Sequence, residues 1–254
     1  MAKLRPRVFD IRANMIPRDI DRPIVGQCAL RWMLLLRELG FAPPTFNNLE
    51  VGIIATPGGD QHPDGKLIGV PVTDFSCAIH FYPAELPADN KELMDLANEC
   101  IKKALLMVQD EDSLSLPLIE AAAGTIEEQG EELLIPFRRL KRGDFTATVS
   151  RKVGGNFCES GALFLSVLNM SSGIETTRKL FDYCNYFDSR ALIGKISKAG
   201  DVLTITAADT WSRGINKSPN TVCIDLNLFV EGQEFFLSDV SQIKKYLEDY
   251  DLPW

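Results

Sequence analysis

Apolar residues recur at steps of three and four over residues 23–39, and this spacing predicts an amphipathic helix. The apolar positions are Val25, Cys28, Trp32, Leu35, Leu36 and Leu39. Asp21 and Pro23 are typical of a helix start, and Gly40 is typical of a helix end. Because three more apolar residues lie beside this stripe, we expect the helix to be buried on more than one side.

Downstream of this helix, one order of elements occurs three times: strand, polar turn, strand and helix. The predicted strands are 51–56, 75–82, 145–153, 162–170, 202–210 and 222–230. The predicted helices are 90–109, 173–187 and 239–250. Asp89 and Glu92 form a capping box for the first of these, and Ser172 and Ser238 start the other two. The pattern predicts an α+β protein with a mostly antiparallel sheet, built from repeated strand-strand-helix units whose helices pack on one face.

A charged connector separates the first copy from the second. It contains the acidic residues 110–112, a short predicted helix over 118–125, the acidic stretch 127–132 and the basic run 138–142. A boundary near residue 140 divides the chain into 1–140, with the N-terminal helix, the first unit and the connector, and 141–254, with the other two units. One continuous domain is an equally good interpretation.

The charge balance restricts the class of partner. The 254 residues contain 27 Lys and Arg against 35 Asp and Glu, a formal net charge of −8. Since a phosphate backbone repels such a chain, we expect no nucleic-acid partner. A basic protein, in contrast, would be attracted to this chain as a binding partner. No apolar run has the length of a signal peptide core or a membrane span, so we expect a cytoplasmic protein with no membrane partner.

The motif content favours a protein without a cofactor. Six cysteines lack any CxxC spacing, and two histidines are too few for a Cys/His zinc site. Neither GxxxxGK[ST] nor GxGxxG occurs, which excludes the usual phosphate and dinucleotide loops. Cys158 lies near a glycine-rich turn, but nothing in the sequence brings a histidine close to activate it.

Strand alternation and loop composition indicate six candidate partner-binding residues. If helices cover the apolar face of the sheet, the opposite face carries His80, Tyr82, Asp225 and Asn227. Trp211 and Arg213 enter a polar loop, and these residue types dominate binding hot spots. A sheet face that is simply wetted by solvent is the alternative interpretation of the first four.

The loop 58–65 offers a different chemistry. Asp60, His62 and Asp64 stand at alternate positions and could hold a divalent metal, with His80 as a general base. Glycine, proline and aspartate are also what a turn requires, so a structural turn is the simpler interpretation. The metal site would make the protein a metal-assisted hydrolase.

Taken together, these features favour a non-enzymatic protein-binding protein. An immunity-type inhibitor of a toxin or effector, or an accessory subunit of a defence or secretion system, fits the size, the acidity and the lack of catalytic motifs. Self-association through a sheet face or edge, giving a homo-oligomer, is a further possibility.

Overall fold

The computed structural model describes residues 10–16, 23–41, 48–57, 62–69, 76–108, 115–153, 161–184, 192–208 and 221–251. Helices and β-sheets both occur, which confirms the α+β class. The chain divides into two compact units, Met1–Leu133 and Leu134–Trp254. Residue 140, near which the sequence places a boundary, lies inside the first strand of the second unit.

The described residues of the first unit form four strands and three long helices. The strands are β1 (Asp10–Ile16), β2 (Asn48–Ile54), β3 (His62–Gly69) and β4 (Ser76–Tyr82). The helices are α1 (Pro23–Glu38), α2 (Asn90–Val108) and α3 (Ser115–Gln129), followed by a 3-10 turn at Gly130–Glu132. Helices α1 and α2 occupy the segments predicted for them. The Asp89 carboxylate accepts hydrogen bonds from the Lys91 and Glu92 amides at 2.8 and 3.1 Å, as a helix cap does.

The sheet of the first unit differs from the predicted antiparallel arrangement. Its strand order is β1-β2-β4-β3. The β1–β2 and β2–β4 pairs are parallel, and only β3–β4 is antiparallel. The β1–β2 pair is parallel because α1 crosses over between these two strands and returns the chain in the same direction. Strand β1 and most of β3 lie in segments for which no strand was predicted.

Burial alternates along the strands of this sheet. The buried positions are Ile11, Ala13, Met15, Leu49, Val51, Ile53, Cys77, Ile79 and Phe81. Helix α1 contacts β1, helix α2 contacts β2, β3 and β4, and the three helices contact one another. The opposite face carries the exposed Arg12 and Glu50. One face of the sheet is therefore apolar and buried, and the other is polar.

Where the structure describes the second unit, its strands form two antiparallel sheets. Strands β5 (Leu134–Arg142), β6 (Phe145–Lys152), β7 (Gly161–Asn169) and β8 (Ile174–Tyr183) pair in that order. Strands β9 (Lys195–Ala199), β10 (Val202–Thr206) and β11 (Thr221–Asp225) form the other sheet, which leads into helices α4 (Leu226–Val230) and α5 (Ser241–Asp249). Buried residues of both sheets and both helices form one core.

Three sequence-based assignments are wrong in the second unit. The segment predicted as helix 173–187 forms strand β8. Ser172, the predicted start of that helix, instead belongs to a hairpin turn. In this turn the Asn169 side chain accepts hydrogen bonds from the Ser171 and Ser172 amides, and Gly173 has a φ of 68°. The predicted strand 222–230 ends at Asp225 and continues as α4. The basic run 138–142 is part of β5 and is not a connector. The described residues of this unit thus do not repeat a strand-strand-helix order.

The side chain of Arg178, on strand β8, forms hydrogen bonds with the C-terminal end of α4. Its guanidinium donates to the carbonyl oxygens of Phe229 and Gln233 at 3.0 and 2.8 Å, and it lies 4.4 Å from the centre of the Phe235 ring. Carbonyls at a helix C-terminus lack helical partners and attract a cation. A five-residue helix, too short to be stable by itself, is held in place in this way.

Candidate functional site

Both histidines of the chain lie beside one tyrosine in the first unit. His62 begins β3 directly opposite Tyr82, near the end of β4, and their rings meet edge-on with centroids 5.8 Å apart. His80 precedes Tyr82 by two residues, so both lie on the same face, and its Nδ1 is 3.4 Å from the tyrosine hydroxyl. The sequence placed His80 and Tyr82 on one face, whereas it treated His62 as part of a turn and joined it to His80 only in the alternative metal site.

Gly52 makes room for this group. It is the parallel neighbour of His80, and a Cβ built on it would lie 2.7 Å from Cδ2 of the imidazole. The His80 ring therefore lies across the β2 backbone, at a distance that no side chain on residue 52 would allow. His62 is exposed, and His80 and Tyr82 are half-buried, so the group presents imidazole and phenol edges to its surroundings.

The two described members of the proposed metal loop contact different neighbours. The ring of His62 packs against Tyr82, whereas the Asp64 carboxylate is 94% exposed and lies 3.4 Å from the ammonium group of Lys103 on α2. Asp60 lies outside the described residues. Where the structure describes the chain, no three His, Cys, Asp or Glu side chains are grouped closely enough to hold a metal ion.

Asp225 and Asn227 lie in the second unit, so they are not neighbours of His80 and Tyr82 along one sheet. The strand predicted to carry both ends at Asp225, whose carboxylate accepts from the Asn227 and Leu228 amides at 2.9 and 3.1 Å. Asp225 thereby caps α4, which is a structural role. Asn227 is exposed in the first turn of that helix. The other candidates, Trp211, Arg213 and Cys158, lie outside the described residues.

The thiols of the first unit are poor nucleophiles. Burial raises the pKa of Cys28 and of Cys100 to about 12, with smaller opposing effects from Arg31 and Lys103 respectively. Burial also raises the pKa of Cys77. Because the thiolate is the reactive form, these three cysteines act as small apolar core residues.

The excess negative charge belongs to the first unit. Residues Met1–Leu133 contain 12 Lys and Arg against 21 Asp and Glu, a net charge of −9, whereas Leu134–Trp254 contain 15 against 14, a net charge of +1. The sequence treated much of this charge as a connector, but α3 and the 3-10 turn occupy that segment. Counting charges separately on each side of the boundary would have found the asymmetry.

Four exposed glutamates stand at the C-terminal end of α3. This glutamate cluster consists of Glu127, Glu128, Glu131 and Glu132. The last turn of α3 has no basic residue, although Arg31 of α1 lies 4.0 Å from Glu131. Negative side chains at this end of a helix are unfavourable, because the macrodipole already places partial negative charge there. The cluster thus breaks a local rule of helix stability, as functional sites often do.

A search of protein families, of curated proteins and of solved structures found no significant match to this chain. Among the helices of the described residues, none combines the length and the apolar character needed to cross a membrane. A functional conclusion therefore depends on the chemistry of the residues themselves.

Proposed function

We propose that this chain is a non-enzymatic, cytoplasmic binding protein whose partner is a basic protein. Two classes of protein fit this proposal. One is an immunity-type inhibitor of a toxin or effector, and the other is an accessory subunit of a defence or secretion system. The observation that supports this proposal is the concentration of negative charge in the first unit, which has a net charge of −9.

The glutamate cluster is the proposed centre of the contact. Its carboxylates are exposed, and several kT of negative potential over such a surface steers a basic partner toward it. The neighbouring α2 adds Glu92, Asp95 and Glu99, all exposed, and an ion pair between Lys102 of α2 and Glu120 of α3 joins the two helices. The glutamate cluster lowers the stability of α3, and the binding of its carboxylates to the partner then offsets this loss.

The polar face of the first unit's sheet is a second proposed contact. We infer that α1, α2 and α3 lie over the apolar face and leave His80 and Tyr82 to a partner. Aromatic and imidazole side chains combine apolar area with hydrogen-bonding groups, which suits a protein interface. Trp211 and Arg213 remain proposed contacts of the second unit.

Charge reversal in the glutamate cluster tests the proposal. The tagged wild type and a Glu127→Lys/Glu128→Lys variant are incubated with an extract of the source cells, and retained proteins are identified by mass spectrometry. We expect the wild type to retain one basic protein in stoichiometric amount. With that protein purified, the double variant should raise the Kd by roughly tenfold or more, because it reverses the steering field.

A matched control is available in the second unit. Glu248→Lys/Asp249→Lys makes the same change in charge at the C-terminal end of α5, where both residues are exposed. We expect this control to bind the partner like the wild type. An acidic or neutral partner, no stoichiometric partner, or equal binding by the two variants would contradict the proposal.

A further inference from the structure

Strand β8 is an edge strand with a regular, exposed first half. It ends the order β5-β6-β7-β8, and among the described strands it pairs with β7 alone. Residues Ile174, Glu175, Thr177 and Lys179 are exposed, and Ile174, at 59%, is the most exposed large apolar side chain in the described part of the chain. Alternate residues of an antiparallel edge strand direct their N–H and C=O groups away from the sheet, where another strand can pair with them.

This edge carries charged side chains and a β-bulge, which often protect an edge strand, but it has no proline to interrupt backbone pairing. The sequence from Ile174 to Lys179 contains no proline, and isoleucine and two threonines favour extended backbone. The register with β7 is unbroken until the shift at Leu180. The pairing segment, residues 174–179, is thus regular over six residues and is limited by a β-bulge at one end.

The charges of the pairing segment are complementary to themselves. Side chains of Glu175, Thr177 and Lys179 share one face, because they are two residues apart. When two copies of the segment run antiparallel with Thr177 on the two-fold axis, each Glu175 stands opposite Lys179 of the partner subunit. Two opposite-charge pairs then flank a Thr–Thr pair, which is a favourable cross-strand arrangement.

The net charge of the second unit itself does not oppose this approach. The pairing segment belongs to the second unit, whose net charge is +1, and the excess of −9 resides in the first unit. We propose that the chain forms a two-fold symmetric dimer in which the β8 strands of two copies pair antiparallel about Thr177. The two four-stranded sheets become one eight-stranded sheet. This inference is independent of the basic partner proposed above.

Analytical ultracentrifugation of the full chain tests the dimer. The ladder is shorter than a standard interface, so we expect a monomer–dimer equilibrium with a Kd on the order of 10 to 100 µM. Glu175→Lys places two lysine pairs across the axis and should raise the Kd roughly tenfold. Glu248→Lys, which makes the same charge change on α5, should leave the Kd unchanged.

A double variant in which the charges of residues 175 and 179 are exchanged shows whether the dimer depends on specific cross-strand pairs or only on the net charge. Lys179→Glu alone places glutamates opposite each other and also removes the 2.6 Å ion pair with Asp182, so it should weaken the dimer. Glu175→Lys/Lys179→Glu restores both cross-strand pairs and should return the Kd to within about threefold of the wild type. A wild type that is monomeric at about 1 mM overturns the proposal. So does a double variant that stays as weak as Glu175→Lys.

Discussion

Two different features of the fold bring the side chains of His62, His80 and Tyr82 together. The period of two along β4 is a local property, and it correctly predicts that His80 and Tyr82 share a face. The approach of His62 is not local, because it depends on the pairing of β3 with β4. Nothing in the loop sequence indicates that residue 62 begins a strand, since Gly, Pro and Asp are typical of turns. Sequence analysis could therefore place His80 and Tyr82 on one face, but it joined His62 to His80 only through the alternative metal site and not through strand pairing.

Two buried thiols lower the stability of the first unit when the pH becomes alkaline. The pKa of Cys28 and of Cys100 is about 12 in the folded protein, above the ordinary thiol value of 9.0. Unfolded chains therefore release protons that folded chains keep, so stability is complete below about pH 9 and falls as pH rises toward 12. We expect the unfolding midpoint in urea to fall progressively across this window.

Replacing both thiols provides the control for that pH dependence. In Cys28→Ala/Cys100→Ala the fall in stability between pH 9 and 12 should be smaller, although the variant is less stable at every pH because of the cavities it creates. Alkylation at pH 8 should leave both cysteines unmodified in the folded wild type and modify them after unfolding. Rapid modification of either cysteine in the folded protein would show that the site is open to solvent.

Among whole elements, the helices of the first unit were predictable and strand β8 was not. Helices α1 and α2 have long apolar stripes with start and stop residues, which are signals contained in the segment itself. In contrast, Ser172 and Glu175 resemble a helix cap but belong to a turn and a strand. Their role depends on the hairpin with β7, in which the Ser166 and Thr177 hydroxyls are 2.7 Å apart. Tertiary pairing overrides the local signal there.

Helix α3 provides a test of the cost of the glutamate cluster. Glu127→Lys/Glu128→Lys replaces two negative side chains at the C-terminal end of the helix by positive ones, which favourably oppose the macrodipole. We expect the free energy of unfolding to rise by about 0.5 to 2 kcal/mol, measured by urea titration at low ionic strength. Glu92→Lys makes the same kind of change in the first turn of α2, where the acidic residue is favourable, and should reduce stability. The same sign for both variants would show that the dipole does not control either effect.

For the molecule as a whole, the division of the chain at Leu133 leads us to expect that each unit folds alone. Among the described residues, the buried core from Ala147 to Leu247 and the half-buried side chains packed against it, which begin at Phe137, all belong to the second unit. We expect a fragment of residues 134–254 to be folded, with the circular dichroism of an antiparallel β protein and a cooperative thermal transition. An unfolded fragment would show that the second unit depends on the first.

The full-length chain is the control for that fragment. If the units fold independently, the fragment's transition should reappear at the same temperature within the unfolding of the intact protein. The sequence places a boundary near residue 140, whereas β5 begins at Leu134, only two residues after the 3-10 turn ends at Glu132. There is no glycine- or proline-rich linker to mark it.

The unequal charge of the two units also has a consequence during translation. The ribosome releases the acidic first unit before the second unit is complete, and N-terminal domains generally fold first. The nascent chain is then repelled by ribosomal RNA, which keeps its folding surfaces away from the polyanion. The basic residues of β5, Arg138, Arg139, Lys141 and Arg142, belong to the second unit and emerge only afterwards.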